Sequence, residues 1–172
     1  MTVDMSIADP SLGPAGIAVP VPAWMRDRVR DPAEFARRME AVKMFVIARA
    51  QQAQKRVLAE SLAGLIGGNP VAQPFTWNRP RRGRVGGHSR RNWQVIPAGG
   101  QAVELEGVDP TGSQTKATGF AAIAALPLGA AAKIVNPTRQ TEHLVRGWSH
   151  QAAPGWVDVV FNSVRAKYAR VV

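Results

Sequence analysis

The chemistry that this sequence offers most clearly is the binding of phosphate by arginine. Six arginines fall within thirteen residues, with glycines between them: Arg79, Arg81, Arg82, Arg84, Arg90 and Arg91. A guanidinium group can bind a phosphate through two parallel hydrogen bonds, and neighbouring glycines allow close approach. The spacing predicts a loop that contacts a polyanion, and the competing interpretation is a solvated basic surface.

Residues that could support catalysis or hold a metal are scattered. Ser149 and His150 are adjacent, but neighbours in sequence rarely face each other and no acid is placed to orient the histidine. Glu104 and Glu106 lack a third titratable group beside them. His143 and His150 flank a Gly-Trp turn, and the chain has no cysteine. We therefore expect no enzyme activity, no catalytic residue, no metal and no cofactor.

The charge balance is the unusual feature of the composition. The 172 residues include 22 Lys and Arg against 12 Asp and Glu, a net charge of +10, while 45% apolar residues are typical of a globular chain. Such a chain is attracted to polyanions through counterion release. No apolar run approaches the ~18 residues of a membrane span, and the N-terminus lacks a signal-peptide pattern. We expect a protein made in the cytoplasm that does not contact membranes.

Residues 1–30 are rich in proline, glycine and alanine, which disfavour a helix. Three apolar side chains stand out in this segment, namely Val19, Val21 and Trp24. They favour an extended arm that lies on a neighbouring subunit, and the competing interpretation is a solvated tail.

A long helix is predicted from residue 31. Asp31 is a suitable N-cap, Pro32 suits the first helical position, and Glu34 completes a capping-box-like pattern. Apolar residues then recur every three or four positions and define one face: Phe35, Met39, Val42, Val46, Ala50, Ala53 and Val57. A second apolar set suggests a further contact with a partner helix or neighbouring subunit: Met44, Ile47, Leu58 and Leu62.

The remaining pattern predicts an α+β domain. It comprises strands at 92–96, 102–106 and 132–135, a helix at 116–126, a short helix or strand at 141–145, and a last helix after Pro154-Gly155. We expect a long N-terminal helix and a C-terminal helix packed on an antiparallel β-sheet. The extended arm would occupy residues 1–30 and one domain residues 31–172.

Two segments resemble the tail-completion, or neck, proteins of long-tailed bacteriophages and phage-like particles. The first is Gly83-Arg-Val-Gly-Gly-His-Ser-Arg-Arg-Asn-Trp93. It is similar to the family's Pro-Val-Asp-Thr-Gly-Arg-Leu-Arg-x-x-Trp motif, which follows a long N-terminal helix. Gly87, Arg90 and Trp93 fit that motif, whereas the Val-Asp-Thr core is absent.

The second segment is Asn136 followed by Gly147-Trp-Ser-His-Gln-Ala-Ala-Pro-Gly155. It resembles the family's pattern of asparagine and then Gly-Tyr-Ser-x-Gln-Ala-Pro-x-Gly, with Trp148 in the aromatic place and the proline shifted by one. We interpret the matching glycines, tryptophans and asparagine as a fold signature rather than a ligand site. The two segments and their spacing cover roughly residues 31–172.

The resemblance implies a structural protein of the virion neck. Family members form a ring, of six copies, that joins the connector or adaptor of the DNA-filled head to the tail terminator, around the channel through which the DNA passes. The expected location is the virion neck, after assembly in the host cytoplasm. The arginines would then contact non-specific double-stranded DNA or dock on an adjoining ring. The alternative is a small, sequence-independent nucleic-acid-binding protein, although no helix-turn-helix or zinc-finger pattern is present.

Overall fold

The computed structural model describes residues 2–3, 31–72, 85–147 and 151–169. Within these ranges the helices are α1 (Pro32–Gly68), α2 (His88–Arg91), α3 (Ser113–Ala125), α4 (Arg139–Val145) and α5 (Trp156–Ala169). The strands are β1 (Thr2–Val3), β2 (Gln94–Pro97) and β3 (Ala132–Val135). This confirms the α+β class with a long N-terminal and a C-terminal helix. The arm anchors Val19, Val21 and Trp24 lie outside the described residues.

Helix α1 begins as its capping residues predict. The Asp31 side chain accepts a hydrogen bond from the Ala33 backbone at 3.0 Å, and Pro32 occupies the first turn. With 37 residues, α1 is about 55 Å long. Its buried residues all lie in its last third, between Leu58 and Ile66. The first two thirds of α1 therefore extend beyond the hydrophobic core.

The prediction of which face of α1 enters the core was wrong. Phe35, Met39 and Val46, from the face expected to pack on the domain, are each at least half exposed. Leu58 and Leu62, from the set predicted to contact a partner helix or a neighbouring subunit, are fully buried, and Leu62 packs on the partner helix α3 at Gly119. Because the core covers only one end of the helix, apolar periodicity alone could not show which residues meet it.

Two helices pack closely on the C-terminal third of α1. A methyl group at Gly119 of α3 would collide with Leu62, and one at Gly64 of α1 would lie 2.6 Å from the Val160 side chain of α5. Each glycine thus allows two helices to approach with no intervening side chain. The core around them consists of leucines and isoleucines together with Trp93 and Trp156, whose rings meet edge to face at 6.2 Å.

The far end of α5 is tied to α1 through Glu60. Its carboxylate accepts hydrogen bonds from Lys167 at 2.6 Å and from the Tyr168 hydroxyl at 2.8 Å. The bond from Lys167 lowers the pKa of Glu60, while burial and the carboxylate raise the pKa of Tyr168 to about 12. Helix α5 therefore lies antiparallel to α1, from Gly68 back to Glu60.

The sheet is small, antiparallel and ordered β1-β3-β2. Strand β3 is central; Gln94 of β2 pairs with Val135 and Pro97 with Ala132. On the other edge, Thr2 pairs with Val135 and Val3 with Ile134. The described fold thus uses the extreme N-terminus of the chain as an edge strand.

The strand predicted at 102–106 was wrong, because side chains replace the backbone ladder there. The Asn92 amide donates to the Leu105 carbonyl at 3.0 Å and accepts from the Leu105 N–H at 2.6 Å. The Gln94 side chain donates to the Val103 carbonyl at 2.7 Å. Residues 101–106 therefore run beside β2 without forming a regular strand.

Helix α3 begins at Ser113, three residues before the predicted start. Asp109, which is buried, accepts hydrogen bonds from the Gly112 N–H at 2.9 Å and from the Thr115 N–H and hydroxyl, both at 2.8 Å. Although burial opposes ionisation, these bonds lower the pKa of Asp109 overall. A carboxylate four residues before the helix thus satisfies N–H groups of its first turn.

We predict that Gly119→Ala destabilises the protein by about 1–3 kcal/mol, because the methyl group overpacks the contact with Leu62. The matched control is Gly67→Ala on α1, where an added methyl group meets nothing within 4 Å. The control should be neutral or slightly stabilising, since alanine favours the helix. Urea unfolding would measure both, and equal effects would contradict the close packing.

Candidate functional site

Three of the residues singled out by sequence, Arg90, Trp93 and Asn136, meet at a buried polar cluster beyond the C-terminus of α1. Its centre is Asn69, which is fully buried. The Asn69 side-chain oxygen accepts hydrogen bonds from the Ser89 hydroxyl at 3.0 Å and from the Trp93 indole at 3.2 Å. Its backbone carbonyl accepts from the Arg90 guanidinium, at 2.5 Å from Nη2 and 3.1 Å from Nε. One residue thus holds α2 and the start of β2 against α1.

The cluster continues through three hydroxyls to a second buried asparagine. Ser89 and Thr141 Oγ atoms lie 2.7 Å apart, and Thr141 and Thr138 Oγ atoms 2.8 Å apart. The Thr138 hydroxyl donates to the Asn136 side-chain oxygen at 2.8 Å, and the Asn136 amide donates to the Ser89 carbonyl at 2.8 Å. The network links the α2 region to the turn between β3 and α4.

Proton counting fixes most of the directions in this network. Ser89 donates to Asn69 and Thr138 donates to Asn136, so each of these hydroxyls has used its proton. Thr141 lies between them and has a single proton for two acceptors. The two asparagine side-chain oxygens are therefore the required acceptors. The Thr141 hydroxyl, in contrast, can donate its proton to either Ser89 or Thr138, so it is the adaptable member of the network. We name this set, Asn69, Ser89, Asn136, Thr138 and Thr141, the asparagine–hydroxyl network.

The glycines of the two resemblance segments occupy left-handed turns. Gly87 has φ of +113°, and a Cβ there would lie 2.7 Å from the Pro110 backbone nitrogen. Gly147, at φ +75°, packs against Pro154, and Gly155 has φ of +73°. Gly155 also donates to the Val145 carbonyl at 3.1 Å, which closes the turn that leads into α5. These positions disfavour any side chain. Trp148 lies outside the described residues.

The predicted arginines divide into two groups. Arg79, Arg81, Arg82 and Arg84 lie outside the described residues. Arg90 is directed inward, and its Nη1 donates to the Pro110 carbonyl at 2.5 Å in addition to its bonds with Asn69. Burial lowers the pKa of Arg90. Its guanidinium links the backbone at Asn69 to the backbone at Pro110.

Arg91 borders a cleft of about 380 Å³ between β2, α3 and residues 103–105. Its Nη1 donates to Gln114 at 2.7 Å, while its buried Nε has no hydrogen-bond partner in the described structure. The wall of the cleft is largely apolar and includes Val95, Ile96 and Leu105. Both α2 arginines thus have structural contacts, which the sequence pattern could not distinguish from surface arginines.

His88 ties the 101–107 backbone to α2 through both ring nitrogens. Nε2 lies 2.8 Å from a Glu104 carboxylate oxygen, and Nδ1 lies 2.8 Å from the Gly107 carbonyl. Both partners can only accept hydrogen bonds, so the geometry suits the doubly protonated imidazolium. The bond to Glu104 first, and the bond to Gly107 second, raise the pKa of His88.

Across residues 31–72, 85–147 and 151–169, no three His, Asp or Glu side chains cluster so that they could hold a metal ion. His88 and Glu104 form an ion pair at the surface. In the described part of the chain, no helix is long and apolar enough to cross a membrane.

Comparison of the chain with protein-family models, with curated proteins and with solved structures finds no match.

We predict that Asn69→Ala destabilises the protein by about 2–4 kcal/mol, because the Ser89 hydroxyl and the Trp93 indole lose their acceptor in a buried site. Thr141→Val is the matched control. It removes the adaptable proton but leaves both asparagines as acceptors, so its cost should be about 1 kcal/mol. Thermal or urea unfolding would compare the two, and a Thr141→Val variant as unstable as Asn69→Ala would contradict the assignment of directions.

We predict that the His88 contact weakens with rising pH. Its folded-state pKa lies above the ordinary value of 6.5, so its stabilisation is fully present below that value and is lost as pH rises through the folded-state pKa. Urea unfolding of the wild type and of His88→Gln across this range would isolate the effect, and NMR titration of the imidazole would give the pKa. If the free energy of unfolding depended on pH identically in the two proteins, the His88 contact would not be the cause of that dependence.

Proposed function

We propose that this protein is a structural component of the neck of a phage or phage-like particle. In this proposal it forms a ring, of six copies, that joins the connector or adaptor of the head to the tail terminator around the DNA channel. It would be assembled in the host cytoplasm and remain in the virion. The role is that of a joint and not of an enzyme.

The observation that supports this proposal is the convergence of the two resemblance segments. They are separated by more than forty residues of sequence, yet the Asn136 amide bonds the Ser89 carbonyl at 2.8 Å. Trp93, which ends the first segment, meets Trp156, which follows the second. The matched residues therefore belong to one folded unit at the end of a long helix, as the proposal requires.

Charge supports the placement around DNA. A net charge of +10 per copy would line a ring with cations that neutralise phosphates irrespective of sequence. Since Arg90 is held by Asn69 and Pro110, we assign the outward contacts to Arg79, Arg81, Arg82 and Arg84. These arginines would face either the DNA or an acidic surface of an adjoining ring.

The same charge favours a second candidate, a small sequence-independent nucleic-acid-binding protein. Such a protein would bind duplex DNA as an isolated species, with an affinity that falls steeply as salt rises. It would have no effect on the joining of heads to tails. Loss of the protein would therefore block the joining of heads to tails if the neck proposal holds, and would leave joining intact if the protein only binds nucleic acid.

We predict that particles made without this gene accumulate as separate DNA-filled heads and loose tails, because the joint between them is absent. Electron microscopy of lysates would measure this, with complementation from a plasmid as control. Normal joined particles in the deletion strain would refute the neck proposal and leave the nucleic-acid-binding protein.

Complementation by the triple variant Arg81→Glu, Arg82→Glu and Arg84→Glu would test the loop within the same experiment. We expect a folded protein that fails to restore joining or DNA retention, because reversed charges repel phosphate or an acidic docking face. Full restoration of infectivity would remove the loop from the mechanism without affecting the deletion result.

A further inference from the structure

The projecting part of α1 carries an apolar surface that nothing in the described structure covers. Phe35, Met39, Val42 and Val46 recur at intervals of four, three and four and so share one face, which we name the α1 stripe. Phe35 is 56% exposed, and Met39 and Val46 are each 50% exposed. Because most helix stability in proteins comes from tertiary packing of an apolar face, a contact on this face would stabilise the projecting part of α1.

The surroundings of the α1 stripe are basic. Residues 32–50 contain four cations and two carboxylates, a net charge of +2. Arg38 is paired with Glu34 and Lys43 with Glu40 along the helix. The net charge of +2 therefore comes from the two cations that are not part of these salt bridges. A partner surface that suits this part of α1 would therefore be apolar and acidic.

The same chain carries such a surface. Residues 101–108 contain no cation and two carboxylates, Glu106 and Glu104, the second of which is paired with His88. They expose Val103 by 67%, Leu105 by 39% and Val108 by 41%. The backbone there is held by the Asn92 and Gln94 side chains and by His88, so the surface is ordered without belonging to the sheet. We name these residues the 101–108 segment.

The two surfaces do not cover each other within one chain. Leu105 is bonded to Asn92, next to Trp93, which bonds Asn69 just past the C-terminus of α1. The α1 stripe lies on the N-terminal half of α1, and the helix places Val46 about 35 Å from Asn69. The side chains of both surfaces therefore stay exposed in the single chain, whereas those of two chains can meet.

We propose that the α1 stripe of one copy packs on the 101–108 segment of the next copy. The contact joins different surfaces of the two chains, so repeating it generates a closed ring or an open filament rather than a two-fold dimer. The ring form rests on the proposed neck function, while the contact itself depends only on the complementary surfaces. Their opposite charge sets the register, and their apolar side chains provide most of the binding energy.

Disulfide crosslinking tests this contact directly, because the full-length chain has no cysteine. In the double variant Met39→Cys with Val103→Cys, mild oxidation should produce a ladder of linked species on a non-reducing gel. Either single variant can give at most dimers. The matched control is Ala41→Cys with Val103→Cys, since Ala41 is exposed on a different face of α1 and should give no ladder.

Light scattering of the purified protein supplies the second measurement. We expect Met39→Asp to shift the oligomer to monomer, while Ala41→Asp leaves it unchanged and both keep their helical circular dichroism. An oligomer that survives Met39→Asp would overturn the inference and leave the neck function standing. So would a protein that stays monomeric at all concentrations without forming the ladder.

Two other crosslinking results would also refute the head-to-tail contact. Dimers of Met39→Cys alone, formed as readily as those of the double variant, would indicate that two α1 stripes pair with each other. An intramolecular disulfide in the double variant Trp24→Cys with Met39→Cys would show that the α1 stripe packs on the N-terminal arm of its own chain. Failure of the neck proposal would appear separately, as joined particles in the gene deletion.

Discussion

The structure after α1 depends on the side chain and carbonyl of one residue, Asn69. Helix α2 is attached through Ser89 and Arg90, the start of β2 through Trp93, and α4 through the hydroxyls that follow Ser89. Buried polar groups cost free energy unless each finds a partner. Because one amide oxygen satisfies two donors, Asn69 constrains how α2 and β2 are placed against the end of α1, beside the hydrophobic core.

This constraint explains why the molecule has two unlike ends. At the C-terminal end of α1, α3 and α5 approach closely at Gly119 and Gly64, and the asparagine–hydroxyl network fixes the loops. At the N-terminal end, α1 continues for some 26 residues, or about 39 Å, before its first buried side chain, Leu58. Folding is thus completed at one end, which leaves the other available for contact with a second molecule.

Local sequence signals predicted the helices and strands better than they predicted what each element contacts. Asp31, Pro32 and Glu34 identified the start of α1 because a cap acts within one turn. The alternation at 102–106 was misleading, since the sequence does not show that the Asn92 and Gln94 amides take the place of a backbone ladder. A signal for the network was present but not recognised. Asn69 and Asn136 each precede a proline at the end of an element, where an asparagine side chain often bonds nearby backbone.

The distribution of charge connects this fold to assembly. Copies that each carry a net charge of +10 repel one another, so a ring of them needs contacts that overcome this repulsion at short range. DNA in the channel would neutralise part of the charge once it is present. Before that, attraction must come from exposed apolar side chains together with exposed carboxylates, and Glu106 and the His88-paired Glu104 lie among such apolar side chains. In the proposed contact these two acids meet the basic surroundings of the α1 stripe on the next copy, which would let a cationic chain bind its own copies in one orientation.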